Sequence, residues 1–316
     1  MSLTDRLARD RERHLDELKE WLRIPSVSAK SEHRDDTRRA AEWLVERMEE
    51  AGLQRAELIP TAGHPVVIGE WRGAEGAPTL LVYGHYDVQP PEPLDEWTSP
   101  PFEPEVRDGR LYARGSVDDK GQVFLHLKAV ETYLAERGSL PVNLIFVVEG
   151  EEEVGSPNLA AFLRKNRERL RCDAVLISDT GMFAPGLPSI TVGLRGLAYM
   201  EIRVRGARSD LHSGEYGGAV VNPAMVLARI LAQLHDERGR VTIPGFYDRV
   251  RELSDEERAA IRALPFDEAE LRAEVEVPAL GGEAGFGPLE RLWARPTLEV
   301  NGLLSGYTGE GAKTVL

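Results

Sequence analysis

Cysteine is almost missing from this chain. Cys172 stands alone among 316 residues, so no internal disulfide can form. That excludes the disulfide-stapled scaffolds of small secreted proteins and fits a reducing, cytoplasmic compartment. Long apolar runs are missing too: none approaches the length that spans a bilayer. The N-terminal stretch Met1–Leu22 is dense in charge and carries no apolar h-region, so no signal peptide is visible. Positive charge is in deficit, with Lys+Arg 39 against Asp+Glu 53 and a net charge of −14. Such a balance argues against nucleic acid or an anionic membrane as partner, and leaves a cation open. Internal repeats and low-complexity tracts are also absent. What remains is 42% hydrophobic and 29% charged, which fits a soluble globular protein. The length exceeds one ordinary domain and suggests two.

The pattern along the chain begins with an amphipathic helix over Thr4–Leu22, with Leu7, Leu15, Leu18, Trp21 and Leu22 on one stripe and Pro25 ending it. Asp36–Glu50 reads as a second helix with Gly52 just past its end. Strands are expected at Arg55–Ile59, Val66–Trp71, Leu80–Tyr83, Arg110–Ala113, Val142–Val148 and Ala174–Ile177. Helices are expected at Gly121–Glu136 and Pro157–Leu170. The proline-rich stretch Gln89–Pro104 must be a loop. Strands alternating with helices predict an α/β domain, with a mostly parallel sheet flanked by helices. Near Val192 the character changes. Ala198–Val204 alternates as a half-exposed strand does, Asn222 with Pro223 opens a helix running to about Asp236, Ser254 with Glu257 forms a capping box, and Thr297–Val300 suits another strand. The boundary is therefore placed at 194. A catalytic α/β domain covers 1–194, and an α+β lid or dimerisation domain with an antiparallel sheet covers 195–316.

The chemistry centres on Leu80–Val88, LLVYGHYDV. A continuous apolar run suits a strand buried on both faces. Reactive groups in such sheets sit just beyond the carboxyl ends of the strands, where His85 stands. Residues two apart in extended chain point the same way, so Asp87 can sit beside His85 and orient its ring. By itself this pair is usually a solvated loop feature. Acidic residues recur, however, after or beside other buried strands: Asp118 in ARGSVDDKG, Glu152 and Glu153 in VVEGEEEVGS, and Asp179 in LISDTG. A run such as EEE is ordinarily a solvated charge run, but this one follows a buried strand. Like charges packed there repel unless a cation sits among them. Imidazole and carboxylate are ligands of divalent ions. Two such ions about 3.5–4 Å apart need a bridging ligand, which a carboxylate can supply.

YGHYDVQP, RGSVDDKG, EGEEEVGS, SDTG, VGLRG and SDLHSGEYGG occur in this order. Together they resemble the M20 family of dinuclear metal-dependent peptidases, in its dipeptidase and carnosinase-like branch, from about Leu22 to the end. The resemblance implies two divalent metal ions, zinc first, with manganese or cobalt as alternatives. His85 and Asp179 would bind one metal, with Asp87 holding the His85 ring. Asp118 would bridge the two, and Glu153 would bind the second. Glu152 would be the general base acting on a bridging water. His212 would reach the substrate carbonyl from the lid of the neighbouring subunit, which makes a homodimer the expected assembly. The Asp118–Asp119 peptide would be cis. The implied substrates are dipeptides or short peptides. An N-acyl-amino-acid deacylase with the same site, and a non-catalytic dimerising homologue, are the alternative readings. Family members return from the lid to the catalytic domain and supply a last histidine ligand for the Glu153 metal. No histidine follows His235 here, so the chain reads as lacking that return, and on its own is expected to be incomplete as an enzyme.

Overall fold

The computed structural model describes residues 2–316. The chain divides into two units, one up to Ser189 and one from Ile190 to Leu316.

The first unit opens with α1 (Leu3–Arg9), α2 (Arg11–Leu22) and α3 (Arg34–Glu50), followed by β1 (Arg55–Ile59), β2 (Val66–Trp71) and β3 (Thr79–His85). A ribbon of β4 (Glu105–Arg107) and β5 (Arg110–Tyr112) precedes α4 (Lys120–Arg137), β6 (Asn143–Glu149), α5 (Leu159–Lys165) and β7 (Ala174–Ile177). Five strands form one sheet in the order β1-β2-β6-β3-β7. The β1–β2 and β2–β6 pairs are antiparallel, whereas β3 runs parallel to both β6 and β7. The α/β class expected from the alternating pattern is borne out. Because β6 lies on one side of β3 and β7 on the other, the crossover from β3 to β6 and the crossover from β6 to β7 run in opposite directions across the sheet. That is the arrangement in which open α/β sheets place a site at the carboxyl ends of their strands.

Both faces of the sheet are covered. Along β6, Leu144, Phe146 and Val148 pack with Trp21, Leu44, Met48, Phe124 and Leu127 of α2, α3 and α4. The intervening Ile145 and Val147 pack with Ile68, Leu81, Phe162 and Leu170 on the other side. Burial on both faces explains why the strand reads as an unbroken apolar run rather than an alternation. Trp21 is fully buried, stacks on Trp43 at 5.2 Å between ring centroids, and donates its indole N–H to the Ala40 carbonyl at 2.9 Å.

Several boundaries differ from expectation, each for a local reason. The single N-terminal helix is two, broken at Asp10, whose carboxylate is taken up by Arg9 at 2.8 Å and Arg6 at 3.3 Å. The helix expected over Pro157–Leu170 stops at Lys165, where the Asn166 side chain donates to the Phe162 carbonyl. The helix expected to reach Asp236 stops at Ala232, because the Asp236 carboxylate accepts the N–H groups of Arg238 and Arg240 and folds a turn instead.

The second unit contains α6 (Ser213–Tyr216), α7 (Pro223–Ala232), α8 (Asp255–Arg262), α9 (Glu268–Glu274) and α10 (Pro288–Ala294). Asn222 caps α7 and Ser254 with Glu257 forms the expected capping box on α8. The strands expected at Ala198–Val204 and Thr297–Val300 are not formed. Among the described residues neither segment has a backbone hydrogen-bonded neighbour, and Tyr199 and Met200 are each 78% exposed. Antiparallel pairing in this unit is confined to isolated bridges such as His212 with Val315, and the small antiparallel sheet of the chain is the β4–β5 ribbon. Arg295 lies between the rings of Phe286 and Tyr247 and donates twice to the Glu283 carboxylate, at 2.8 and 2.9 Å.

Trp21→Ala should destabilise the first unit by about 3–5 kcal/mol, the usual cost of deleting a buried large aromatic side chain. Chemical denaturation followed by far-UV circular dichroism measures this. A loss within error of zero would mean that the α2–α3–α4 layer is not the core of this unit.

Candidate metal centre

His85 is the last residue of β3, paired in register with Glu149 of β6. Gly84 before it is required by a close approach: a Cβ there would meet Asp119 Oδ2 and Val123 Cγ2, each at 2.5 Å. The His85 side chain is completely buried and its two ring nitrogens face different partners. Nδ1 lies 3.0 Å from the Asp87 backbone carbonyl and 3.3 Å from Asp87 Oδ1. Nε2 lies 3.0 Å from Asp118 Oδ1 and 3.6 Å from Asp179 Oδ2. Two overlapping groups result, His85–Asp118–Asp179 and His85–Glu152–Glu153, with the ligand atoms in each within 4.8 Å of one another. Thus His85, Asp118, Asp179, Glu152 and Glu153, which are up to 94 positions apart in sequence, lie together at the carboxyl ends of β3, β6 and β7 and at the start of α4.

Asp87 is fully buried beneath this group. Its Oδ1 accepts the backbone N–H of Glu152 at 3.2 Å and its Oδ2 accepts that of Glu153 at 3.1 Å. The 3₁₀ turn Glu152–Val154 is therefore tied by its backbone to the segment that follows His85. Glu149 anchors the same turn from below, accepting from Tyr83 Oη at 2.6 Å and Ser156 Oγ at 2.8 Å. Asp118 precedes α4, and the Asp118–Asp119 peptide is cis, as the resemblance implied. Asp119 accepts the His85 N–H at 3.1 Å through Oδ2, while its buried Oδ1 has no hydrogen-bond partner among the described residues. Lys120, entirely buried, donates to the carbonyls of Trp21 at 3.1 Å and Ile24 at 2.8 Å and so fastens the Asp118–Asp119 loop to the end of α2.

Residues that sequence reasoning missed are the partners that do not face the centre: Ser28, Asp119, Lys120, Tyr83 and Ser156. Ser178, beside Asp179, was missed as well; it hydrogen-bonds His126 of α4 at 2.6 Å. Nothing in a single sequence distinguishes such residues, since each is recognisable only by a partner that the fold brings to it. His212 belongs to the second unit. It is the N-cap of α6, and its Nδ1 accepts the Gly214 N–H at 3.0 Å.

The electrostatics of the group are those of a site short of positive charge. Burial pushes the His85 imidazole down, but the Asp179 and Asp87 carboxylates outweigh it and raise its pKa to about 11. Burial pushes Asp119 up to about 7, and burial raises Glu152 and Glu153, with neighbouring carboxylates adding to the effect. Asp179 is held below its ordinary value, first by its hydrogen bond to His85. A proton on His85 is thus the charge that the surrounding carboxylates retain. An imidazole with several carboxylates is the donor set of hard and borderline divalent ions, and the residues present fit such an ion.

The model of peptidase family M20/M25/M40 matches residues 81–297. The chain belongs to this family. Among its relatives, the Cys-Gly metallodipeptidase dug1 of Schizosaccharomyces pombe is 33% identical over 93% of this chain and 64% of its own length. The human Beta-Ala-His dipeptidase is 32% identical over 95% of this chain and 62% of its own. The solved structure of the M20 family metallo-carboxypeptidase Sso-CP2 from Sulfolobus solfataricus is 38% identical, with a TM-score of 0.76 over 96% of this chain and 68% of that one. The chain thus spans a little under two thirds of the length of the two dipeptidases. M20 metallopeptidases use metal ions, and among the described residues no helix is long and apolar enough to cross a membrane.

A divalent ion that takes His85 as ligand must displace the proton that the carboxylates hold there. Because the metal-free pKa lies at about 11, the apparent affinity should rise with pH, by about tenfold per unit between pH 7 and 9. Zinc titrations against a competing chelator at three pH values measure it. An affinity that does not change with pH would remove His85 Nε2 from the ligand set.

Proposed function

We propose that this chain carries the catalytic centre of a metal-dependent hydrolase that cleaves the peptide bond of dipeptides or short peptides. The observation that carries the proposal is the convergence of His85, Asp118, Asp179, Glu152 and Glu153 at the carboxyl ends of parallel strands. Family membership and the two dipeptidase relatives support the same reading. His85 Nε2, Asp118 and Asp179 would hold one divalent ion. Glu153 would hold a second, with Asp118 shared between them. We assign zinc to both places, with manganese or cobalt as alternatives of similar ligand preference. Bound there, the ions would polarise the scissile carbonyl and lower the pKa of the attacking water.

The protein groups divide the remaining work. Asp87 holds His85 so that Nε2 faces the cluster, and through the Glu152 and Glu153 amides it fixes where those two side chains start. Glu153 is restrained by Gln89, whose amide donates to its Oε2 at 2.8 Å. Glu152 takes no side-chain hydrogen bond among the described residues, which leaves its carboxylate available. Burial raises its pKa, and a carboxylate of raised pKa is a better proton acceptor. Glu152 would take the proton of the attacking water and pass it to the leaving amine. His212 would donate to the oxyanion as it forms. We assign it to the neighbouring subunit's site, in a homodimer built through the second unit.

A panel of dipeptides, N-terminally blocked peptides and N-acyl amino acids, assayed with added zinc or manganese, tests the function. Free dipeptides should be cleaved, and Glu152→Gln should bind metal as the parent does while losing at least about 100-fold in kcat. The amide keeps the shape of the acid but cannot accept the proton. Turnover near that of the parent would take Glu152 out of the mechanism. Hydrolysis of N-acyl amino acids alone would replace the peptidase reading with a deacylase.

The subunit assignment of His212 has its own test. In active enzyme, His212→Ala and Glu152→Gln should each be nearly inactive, and mixing the two variants should restore part of the activity. Mixed dimers combine one chain's Glu152 with the other chain's His212 in a single site. If subunit exchange is demonstrated and no activity returns, His212 does not act across the dimer.

A further inference from the structure

We propose that Ser28 is a positioning residue of this centre, acting through Asp87 to fix the turn that bears Glu152 and Glu153. The proposal rests on the metal-centre reading above and extends it to a segment that contains none of its ligands.

The Asp87 side chain is completely inaccessible to solvent. A buried carboxylate persists only when hydrogen bonds replace its lost hydration. Its two oxygens offer about four acceptor sites, and four neighbours face them. Oδ1 accepts Glu152 N–H at 3.2 Å and lies 3.3 Å from His85 Nδ1. Oδ2 accepts Glu153 N–H at 3.1 Å and Ser28 Oγ–H at 2.6 Å. Three of these contacts come from the elements that carry the centre. Ser28 alone comes from elsewhere, and its bond is the shortest of the four. A hydroxyl donating to a carboxylate is also among the stronger types of hydrogen bond.

Ser28 is itself held in place. The segment from Ile24 to Ser28 runs from the end of α2 alongside Tyr86–Val88 and is stitched to it. Ser26 Oγ donates to the Tyr86 carbonyl at 2.6 Å, the Val88 N–H donates to the Ser26 carbonyl at 2.9 Å, and Val27 pairs with Val88. Lys120 clamps the start of the segment through the Ile24 carbonyl. Ser28 therefore presents its hydroxyl from a fixed strap. With that donor gone, the Asp87 carboxylate can turn toward His85 Nδ1 and loosen its hold on the two amides. The turn bearing Glu152 and Glu153 then loses its register with His85.

Amide hydrogen exchange on the metal-free 316-residue chain reads this directly. In Ser28→Ala, the Glu152 and Glu153 amides should exchange on the order of tenfold faster, with β3 and β6 unchanged. Ser28→Thr keeps the hydroxyl and should restore the parent rates. Zinc affinity of Ser28→Ala, measured by competition with a chromogenic chelator, should fall about 10–100-fold, as for other residues that orient metal ligands. If Ser28→Ala does not fold, Ser28→Cys, a weaker donor of similar size, should give intermediate values. Unchanged exchange at Glu152 and Glu153 overturns the proposal. Faster exchange throughout β3 and β6 overturns it too, since that would assign Ser28 to general stability. If the parent chain binds no zinc, the metal-centre reading falls, while the exchange comparison still decides whether Ser28 holds the turn.

Discussion

The rest of the first unit depends on keeping five acidic side chains and one imidazole together at one end of a sheet. Asp118, Asp179, Glu152 and Glu153 crowd around His85, with Asp87 beneath. Burial first, and the like charges beside them second, lift the pKa values of Glu152 and Glu153, and like charges at this separation push the structure apart. Without a bound ion, compensation comes from the proton on His85, from the backbone N–H groups and the Ser28 hydroxyl that converge on Asp87, and from the Gln89 amide on Glu153. The apolar layers on both faces of the sheet provide the rigidity that holds the charges there. β6 contributes to both layers at once, so neither its position nor that of β3 can drift without opening a packed interior.

Topology then explains why the candidate ligands come from such distant parts of the chain. Parallel strands end on the same side, and each is followed by a connection that starts at that side. His85 ends β3, the Glu152–Glu153 turn follows β6, and Asp179 follows β7. Asp118 enters from the loop that opens α4, secured by Lys120 to the end of α2. Each candidate ligand thus sits on, just after or, for Asp118, just before a regular element, where its backbone is already fixed. Substrate-facing chemistry needs that kind of support, because small displacements of reacting groups cost large factors in rate.

Much of this was legible from the residues because the signals are local. The unbroken apolar runs of β3 and β6 announce strands buried on both faces, and the acidic residues that follow them stand where such sheets build sites. Caps are read over three or four residues, so Asn222 with Pro223 and Ser254 with Glu257 were identifiable without tertiary information. Ser28 and Lys120 were not. Ser28 meets Asp87 across 59 positions, and lysine is ordinarily an exposed residue, so its complete burial has no local signature. The alternation at Ala198–Val204 was misleading for a related reason. Alternation records which side chains would share a face, but a strand also needs a neighbour for its backbone. Among the described residues that neighbour is absent, and most of the segment stays exposed.

The same distinction bears on His212, whose proposed work as a donor requires a proton on the nitrogen that faces the substrate. Nδ1 accepts the Gly214 N–H, so in the neutral ring the proton must reside on Nε2. The contact lies within one turn of chain and does not depend on any other part of the molecule. It also limits what can replace Gly214, because a Cβ there would lie 2.9 Å from His212 Cε1 and 3.1 Å from Nδ1. The glycine therefore keeps the ring close to the N-terminus of α6 while its backbone amide selects the tautomer. An imidazole held this way is a donor before any substrate arrives, and a donor that needs no proton rearrangement can stabilise developing negative charge without delay.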